Sequence, residues 1–275
     1  MTTARAYAKV NLALVVGPLR SDGKHEVATV LQRIDLHDDM TLDAAEELVV
    51  EGFPEDTIVR EALEALAGAA HVEPHWRMRI EKRIPVAAGL GGGSADAAAA
   101  LRLANATLVA PLPADGLHRV AAGIGADVPF FLGAGTQLAT GDGTELVPIE
   151  LPLDYHVLLV VPDGVTKDST GAVYEQFDAR ADARGFAVRA DALRRSLDAV
   201  RAARDLAGLP ANDLASSPIA EELSAAGAFR ADVSGAGPTV YGLFDHVADA
   251  TRAASALGSR GTTFVLRPVG AEDPP

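Results

Sequence analysis

The chain has no cysteine among its 275 residues, and that one absence removes disulfide bridges, thiolate metal sites and a cysteine nucleophile together. It is also short of positive charge: 24 Lys and Arg stand against 38 Asp and Glu, a formal net charge of −14, with a pI of about 4.8. A field of that sign repels nucleic acid and anionic membrane surfaces alike, so neither is expected as a partner. A small anionic substrate stays open wherever the positive potential is local. No apolar stretch is long enough to span a bilayer, the most apolar one being broken by Asp96 and Arg102. The first residues, Met1 to Lys9, carry no apolar core ahead of their first charges. No secretory signal is read there, and a cytoplasmic location is expected.

What is present is the composition of a soluble globular protein, 48% hydrophobic and 23% charged. The length suffices for one large domain or two of ordinary size, with ample core in either case.

The most informative stretch is Pro85-Val86-Ala87-Ala88-Gly89-Leu90-Gly91-Gly92-Gly93-Ser94-Ala95-Asp96. Four glycines within five residues leave a backbone without Cβ atoms, so peptide N–H groups can turn inward and approach a bulky anion closely. Ala95 to Ala106 is Ala-rich and free of Pro and Gly, which predicts a helix with Ser94 as N-cap and Asp96 in its first turn. Before the loop, Trp76 to Ile84 alternates apolar and charged residues, the pattern of a half-buried strand. Strand, glycine loop and helix N-terminus in that order suit a phosphate. The loop fits neither a Walker A motif, since no lysine follows the glycines, nor a dinucleotide fingerprint, which would need glycine at Ser94.

Elsewhere, Val10 to Val16 reads as a strand ended by Gly17-Pro18, with Lys9 and Asn11 on one face of it. Ser21 to His25 is a turn. A strand-like run at Met40–Val50, a helix over Thr57–Ala70, a helix over Pro113–Gly125 and hairpin strands Thr136–Thr140 and Glu145–Ile149 complete the first half. Asp127 sits at a helix junction before Pro129, where an aspartate is commonly only a cap. Pro148 and Pro152 suggest a boundary near Glu150–Asp154. The second half reads strand (Val157–Val161), helix (Asp191–Leu206), helix (Pro218–Ala226), strand, strand, helix (His246–Leu257), strand (Thr262–Arg267): an antiparallel sheet covered by helices.

Four motifs occur in order: Ala8-Lys9-Val10-Asn11-Leu12 with Arg20 to Glu26, the loop Pro85 to Ser94, Gly125-Ala126-Asp127-Val128-Pro129, and Ser234-Gly235-Ala236-Gly237-Pro238-Thr239. Together they resemble the GHMP kinases (galactokinase, homoserine, mevalonate and phosphomevalonate kinases). Within that family they are most similar to the kinases of a cytidine-diphosphate-linked methylerythritol in the non-mevalonate isoprenoid pathway. The resemblance implies an α+β, two-domain fold with the active site in the interdomain cleft, divided as 1–152 (ATP-binding) and 153–275. It implies ATP and Mg²⁺, and a small-molecule substrate phosphorylated on a hydroxyl by a monomer or homodimer. Lys9 and Asp127 become the catalytic pair. Pro85, Gly89, Leu90, Gly91, Gly92, Gly93, Ser94, Ala95, Gly235 and Gly237 become the nucleotide contacts. Asn11, His25, Asp127, Thr170 and Tyr174 become substrate contacts, with His25 on the cytosine edge and Tyr174 stacked on the base. Ser94 becomes the metal ligand, with Asp96 joining through water or merely capping the helix. Four departures from the family pattern stand out: Lys24 where it has tyrosine, Ala95 where it has a second serine, Ala215 after Asn212-Asp213-Leu214 where it has glutamate, and Asp163 where it has proline at the head of a loop, Asp163 to Tyr174, whose spacing is longer by a residue. A homoserine- or mevalonate-type kinase, a related decarboxylase and a silent binding protein are the alternative readings.

Overall fold

The second-longest strand is apolar on both faces, and this decides the layout. In β1 (Thr2–Leu19) every residue from Ala6 to Val16 is buried, because one face meets helices and the other meets a second sheet. The computed structural model describes residues 1–53, 58–164, 170–180 and 185–271. β1 pairs antiparallel along the whole of β2 (His25–Ala44), through three irregularities in register. On its other side β2 pairs with β4 (Trp76–Glu81) through Asp39–Ala44 and with β5 (Thr136–Gly141) through Val27–Leu31. The short β3 (Val49–Glu51) and β6 (Glu145–Ile149) close a six-stranded sheet.

Four helices cover one face of that sheet: α1 (Ile58–Ala70), α2 (Gly92–Asn105), α3 (Ala114–Ile124) and α4 (Val128–Leu132). The alanines of α2 let this helix pack close against β1 and against α1, and seven of its apolar residues are fully enclosed. A four-stranded antiparallel sheet follows, ordered β10 (Gly261–Leu266), β7 (His156–Pro162), β9 (Val240–Phe244), β8 (Arg230–Val233). Its outer face carries α7 (Pro218–Ala225) and α8 (Val247–Leu257). Its inner face joins β1, β2 and α6 (Phe186–Ala199) in one continuous core, with α5 (Thr170–Arg180) bordering it. No helix among the described residues is long and apolar enough to cross a membrane.

The structure corrects the sequence reading in several places. β1 runs through Gly17-Pro18 to Leu19, and the strand-like run at Met40–Val50 is the end of β2, a turn and the start of β3. The helix expected over Asp191–Leu206 spans Phe186–Ala199 and stops at the extended Val200. There the Asp205 carboxylate accepts the N–H groups of Arg201 and Ala202 and starts a separate 3-10 turn, Ala203–Gly208. α5 falls where a loop was expected; Val165–Ser169 of that loop, and Thr57 ahead of α1, lie outside the described residues.

Candidate active site

The glycine loop bends because its backbone enters the left-handed region at Ala87 (φ 55°), Gly89 (φ 81°) and Gly91 (φ 71°). α2 starts at Gly92, two residues before the expected Ser94 cap, with Gly91 as the N-cap. Gly91 offers no side-chain oxygen, so the first N–H groups of α2 keep their capacity for an external anion. Ser94 is therefore inside the first turn and lines the cleft rather than capping the helix. Asp96 lies beyond the first turn, 1% exposed and bonded to Lys82 at 2.8 Å, so it neither caps α2 nor offers a free carboxylate to solvent. Burial raises the Asp96 carboxyl, opposed by the pull of Lys82 and assisted by the push of Asp38.

The loop is tied on both sides. Lys9 N–H donates to the Leu90 carbonyl at 2.9 Å, fixing the loop to β1. Ser234 Oγ donates to the Gly89 carbonyl at 3.0 Å and Thr239 N–H to the Ala88 carbonyl at 3.3 Å, fixing it to the loop between β8 and β9. Asn212 holds that second loop in turn, its amide donating to the carbonyls of Val233 (2.9 Å) and Gly235 (2.6 Å). The structure thus brings the loop Pro85 to Ser94 and the loop Ser234 to Thr239 together, and Gly235 and Gly237 stand against Gly89 and the Lys9–Asn11 pair.

Between the loops Lys9 and Asn11 meet: Lys9 Nζ donates to Asn11 Oδ1 at 2.6 Å. Asn11 Nδ2 donates to Thr29 Oγ1 at 2.9 Å, and that hydroxyl donates to the Ala13 carbonyl at 2.7 Å. The chain of bonds fixes the direction of a buried ammonium that would otherwise be costly. Asp127 stands 3.5 Å from Lys9 Nζ across 118 positions of sequence (127 − 9). Although it occupies the cap position of α4, its carboxylate makes no capping bond and stays 43% exposed, open to the cleft. The cleft between the two sheets measures about 930 Å³, ample for a nucleotide.

At the cleft's other end His25 is buried, its Nδ1 on the Gly17 carbonyl at 2.9 Å and its Nε2 3.3 Å from Asp178. Since a carbonyl only accepts, Nδ1 carries a proton. Tyr174 stacks on the His25 ring with centroids 4.9 Å apart and planes at 24°. Burial and the neighbouring Asp127 push the Tyr174 phenol up to about 12, so the hydroxyl is a hydrogen-bond donor. Thr170 lines the same end. Lys24 pairs with Asp142 at 2.6 Å, joining the turn after β1 to the β5–β6 hairpin.

Sequence reasoning missed Thr29, Lys82, Asp38 and Asp178. Thr29 is one hydroxyl in an apolar strand and carries no local signal; Lys82 falls in register with the buried Trp76, Met78, Ile80 and Ile84, which marks it as facing the core but does not name its partners. Among the described residues no group of three or more His, Cys, Asp or Glu side chains could hold a metal ion. Among the oxygen donors that line the cleft, the Ser94 hydroxyl and the Asp127 carboxylate lie by the glycine loop and Lys9, a sparse set that suits a Mg²⁺ held chiefly by phosphates rather than by a protein cage.

Known proteins resemble this chain. Residues 57–135 match the family described as GHMP kinases N terminal domain, and residues 190–263 match GHMP kinases C terminal. A 4-diphosphocytidyl-2-C-methyl-D-erythritol kinase of Salinispora arenicola is 40% identical, over 93% of this chain and 87% of that protein. One of Corynebacterium efficiens is 38% identical, over 97% and 92%. A solved structure of 4-(cytidine 5'-diphospho)-2C-methyl-D-erythritol kinase superimposes with a TM-score of 0.77 at 29% identity, covering 98% of this chain and all of that one. A mevalonate kinase superimposes with a TM-score of 0.75 at 14% identity, a likeness of fold alone. Identity across most of the chain, both halves of the fold and a glycine-loop cleft in between agree: this chain belongs to the GHMP kinase family.

Proposed function

We propose that the chain is the ATP-dependent kinase that phosphorylates the 2-hydroxyl of 4-diphosphocytidyl-2-C-methyl-D-erythritol, a step of isoprenoid precursor synthesis. The relatives above carry that name, and the observation that supports the chemistry is the 3.5 Å approach of Lys9 to an uncapped Asp127 beside the glycine loop. The strands before Glu150 and those after Tyr155 form separate sheets, which supports a division at 152/153 into an ATP-binding half and a C-terminal half.

Phosphoryl transfer needs alignment and charge neutralisation more than covalent help. The loop from Pro85 to Ala95 and the N-terminus of α2 receive the ATP phosphates, closed over by Gly235 and Gly237. Mg²⁺, when bound with the phosphates and Ser94, supplies further positive charge. Asp127 accepts the proton of the attacking hydroxyl as that proton becomes acidic late in a loose transition state. Lys9, aimed by Asn11 and Thr29, stands beside Asp127 and faces the transferred oxygens. His25 with Tyr174 and Thr170 forms the end that takes the cytidine, and the half-exposed Asp178 yields the His25 Nε2 to the base.

The test is turnover with Mg-ATP on the cytidine substrate, its uridine counterpart, mevalonate and homoserine. Preferred phosphorylation of the cytidine substrate is expected, since a site that hydrogen-bonds a base edge rejects an analogue that cannot pair there by up to about 10⁴-fold. Preference for mevalonate or homoserine, or CO₂ release from diphosphomevalonate, overturns the assignment.

A further inference from the structure

The tip of the glycine loop is held by Lys9, Ser234 and Thr239, but its two ends are held by a cluster that phosphoryl transfer does not use. Lys82, just past the end of β4, places its ammonium between Asp38 of β2 at 2.6 Å and Asp96 of α2 at 2.8 Å. Both carboxyl groups are enclosed, with side-chain exposures of 0% and 1%. Asp38 Oδ1 also accepts the backbone N–H groups of Arg83 and Ile84, the residues that lead into Pro85. The chain running into the loop is thus pinned to the sheet, and the helix leaving it is pinned to the same ammonium. The Lys82 ammonium also lies 5.7 Å from the centre of the Phe53 ring, on the cleft wall, and next to Gly92.

Enclosing three ionisable groups is expensive, and an apolar cluster of the same volume commonly holds elements together as well or better. What an ionic bridge adds is direction: Lys82 fixes the distance from β2 to the first turns of α2 through two short bonds. The loop needs such fixing, because Ala87 holds a left-handed conformation that a non-glycine residue keeps only where its surroundings dictate it. We propose that Lys82 is a positioning residue for the nucleotide, bridging Asp38 and Asp96 so that the glycine loop stands ready for the phosphates. The proposal rests on the reading of this cleft as the ATP site.

The experiment measures binding of a non-hydrolysable ATP analogue by calorimetry, in Mg²⁺ and in EDTA, together with thermal melting. The proteins are the parent, Asp96→Ala, Lys82→Met and the double variant. Asp96→Ala leaves Lys82 its Asp38 partner and places the best helix former inside an Ala-rich helix, so it stays folded, and the melt reads how much stability the lost ion pair carried. The folded variant nevertheless binds the analogue about tenfold more weakly in both media, since a loop displaced by a fraction of an ångström loses its alignment. Lys82→Met shows a similar loss and the double variant no more than the weaker single, because the groups act as one unit. Should Lys82→Met fail to fold with two carboxyls stranded, Asp96→Ala carries the test alone. Parent-like affinity in Asp96→Ala overturns the proposal. A loss confined to Mg²⁺ makes Asp96 a metal ligand and overturns it too, as does a double variant whose loss is the product of the singles. A parent that binds no analogue overturns the reading of the cleft itself.

Discussion

Gly89→Ala and Gly93→Ala form a matched pair, two additions of one methyl group to the same loop with opposite expected results. At Gly89 the backbone has φ 81°, and a Cβ would lie 2.6 Å from the Ser234 carbonyl oxygen and 2.7 Å from that of Gly237. Left-handed geometry costs an alanine about 1–2 kcal/mol, and overpacking against atoms that cannot swing away costs about 1–3 kcal/mol more. A stiffer unfolded chain returns roughly 0.4–1 kcal/mol, leaving a net loss of about 1–4 kcal/mol. At 275 residues each kcal/mol moves the melting temperature by about 2–4 °C, so a drop of about 2–16 °C is expected. Nucleotide affinity falls with it, since the glycine loop must retreat from the loop of Ser234. At Gly93 the φ is ordinary and the Cβ would meet Ile58 Cγ2 at 3.4 Å, a normal contact inside α2. There alanine leaves stability unchanged or raises it by up to about 1 kcal/mol. Gly92 is the poorer probe, because its Cβ would press on Ile84 Cγ2 at 3.0 Å before meeting any ligand. Calorimetric melting and titration with an ATP analogue read both effects. A Gly89→Ala protein that melts with the parent and binds the analogue equally would refute the idea that the contact between the two loops shapes the phosphate site.

Three further outcomes are expected. Asp127→Asn keeps shape and removes the proton acceptor, so kcat should fall roughly 10²–10⁴-fold with little change in KM; Lys9→Ala should also lower kcat, and single-turnover rates of the double variant should show less than the product of the two losses. Ala87→Gly removes a left-handed alanine at φ 55° and should raise stability by about 0.5–1 kcal/mol after the added freedom of the unfolded chain is counted, measured by urea melts with unchanged slope. Partial burial opposes ionisation of Asp142, but hydrogen bonds from Lys24 and Thr144 outweigh it and hold this carboxyl at about 2, against 3.8 in the free side chain. Its folded-state value is depressed, so its contribution is complete above pH about 4 and is lost as pH falls from there towards 2; with surface screening that contribution is about 1 kcal/mol, and Asp142→Asn should flatten the acid limb of a pH–stability curve by that amount.

The order of the motifs carried the family and the fold, and the pairs Lys9 with Asn11 and Gly89 with Gly91 were legible because strand alternation and glycine geometry are local. The Ser94 cap was misplaced for a local reason as well: at this helix a left-handed glycine, Gly91, ends the loop earlier than any hydroxyl could. Asp127 shows the limit from the other side. A cap and a free carboxylate are identical in sequence, and they part only when Lys9 arrives from β1 and no bond to α4 is made.

Lys82 was the harder case, for a physical reason. It interrupts the buried series Trp76, Met78, Ile80 and Ile84 and so faces the core, yet its partners stand 44 and 14 positions away and nothing local names them. Asp38 in turn alternates in phase with the buried Leu36, Met40 and Leu42, but no local feature names Lys82 as the charge it meets. A buried charge is tolerated only by partners that the fold delivers, so its cost and its compensation are both tertiary. A backbone free to turn its N–H groups inward can therefore be read from its glycines, while the apparatus that holds the loop in shape becomes visible only when β2, the end of β4 and α2 converge on one ammonium.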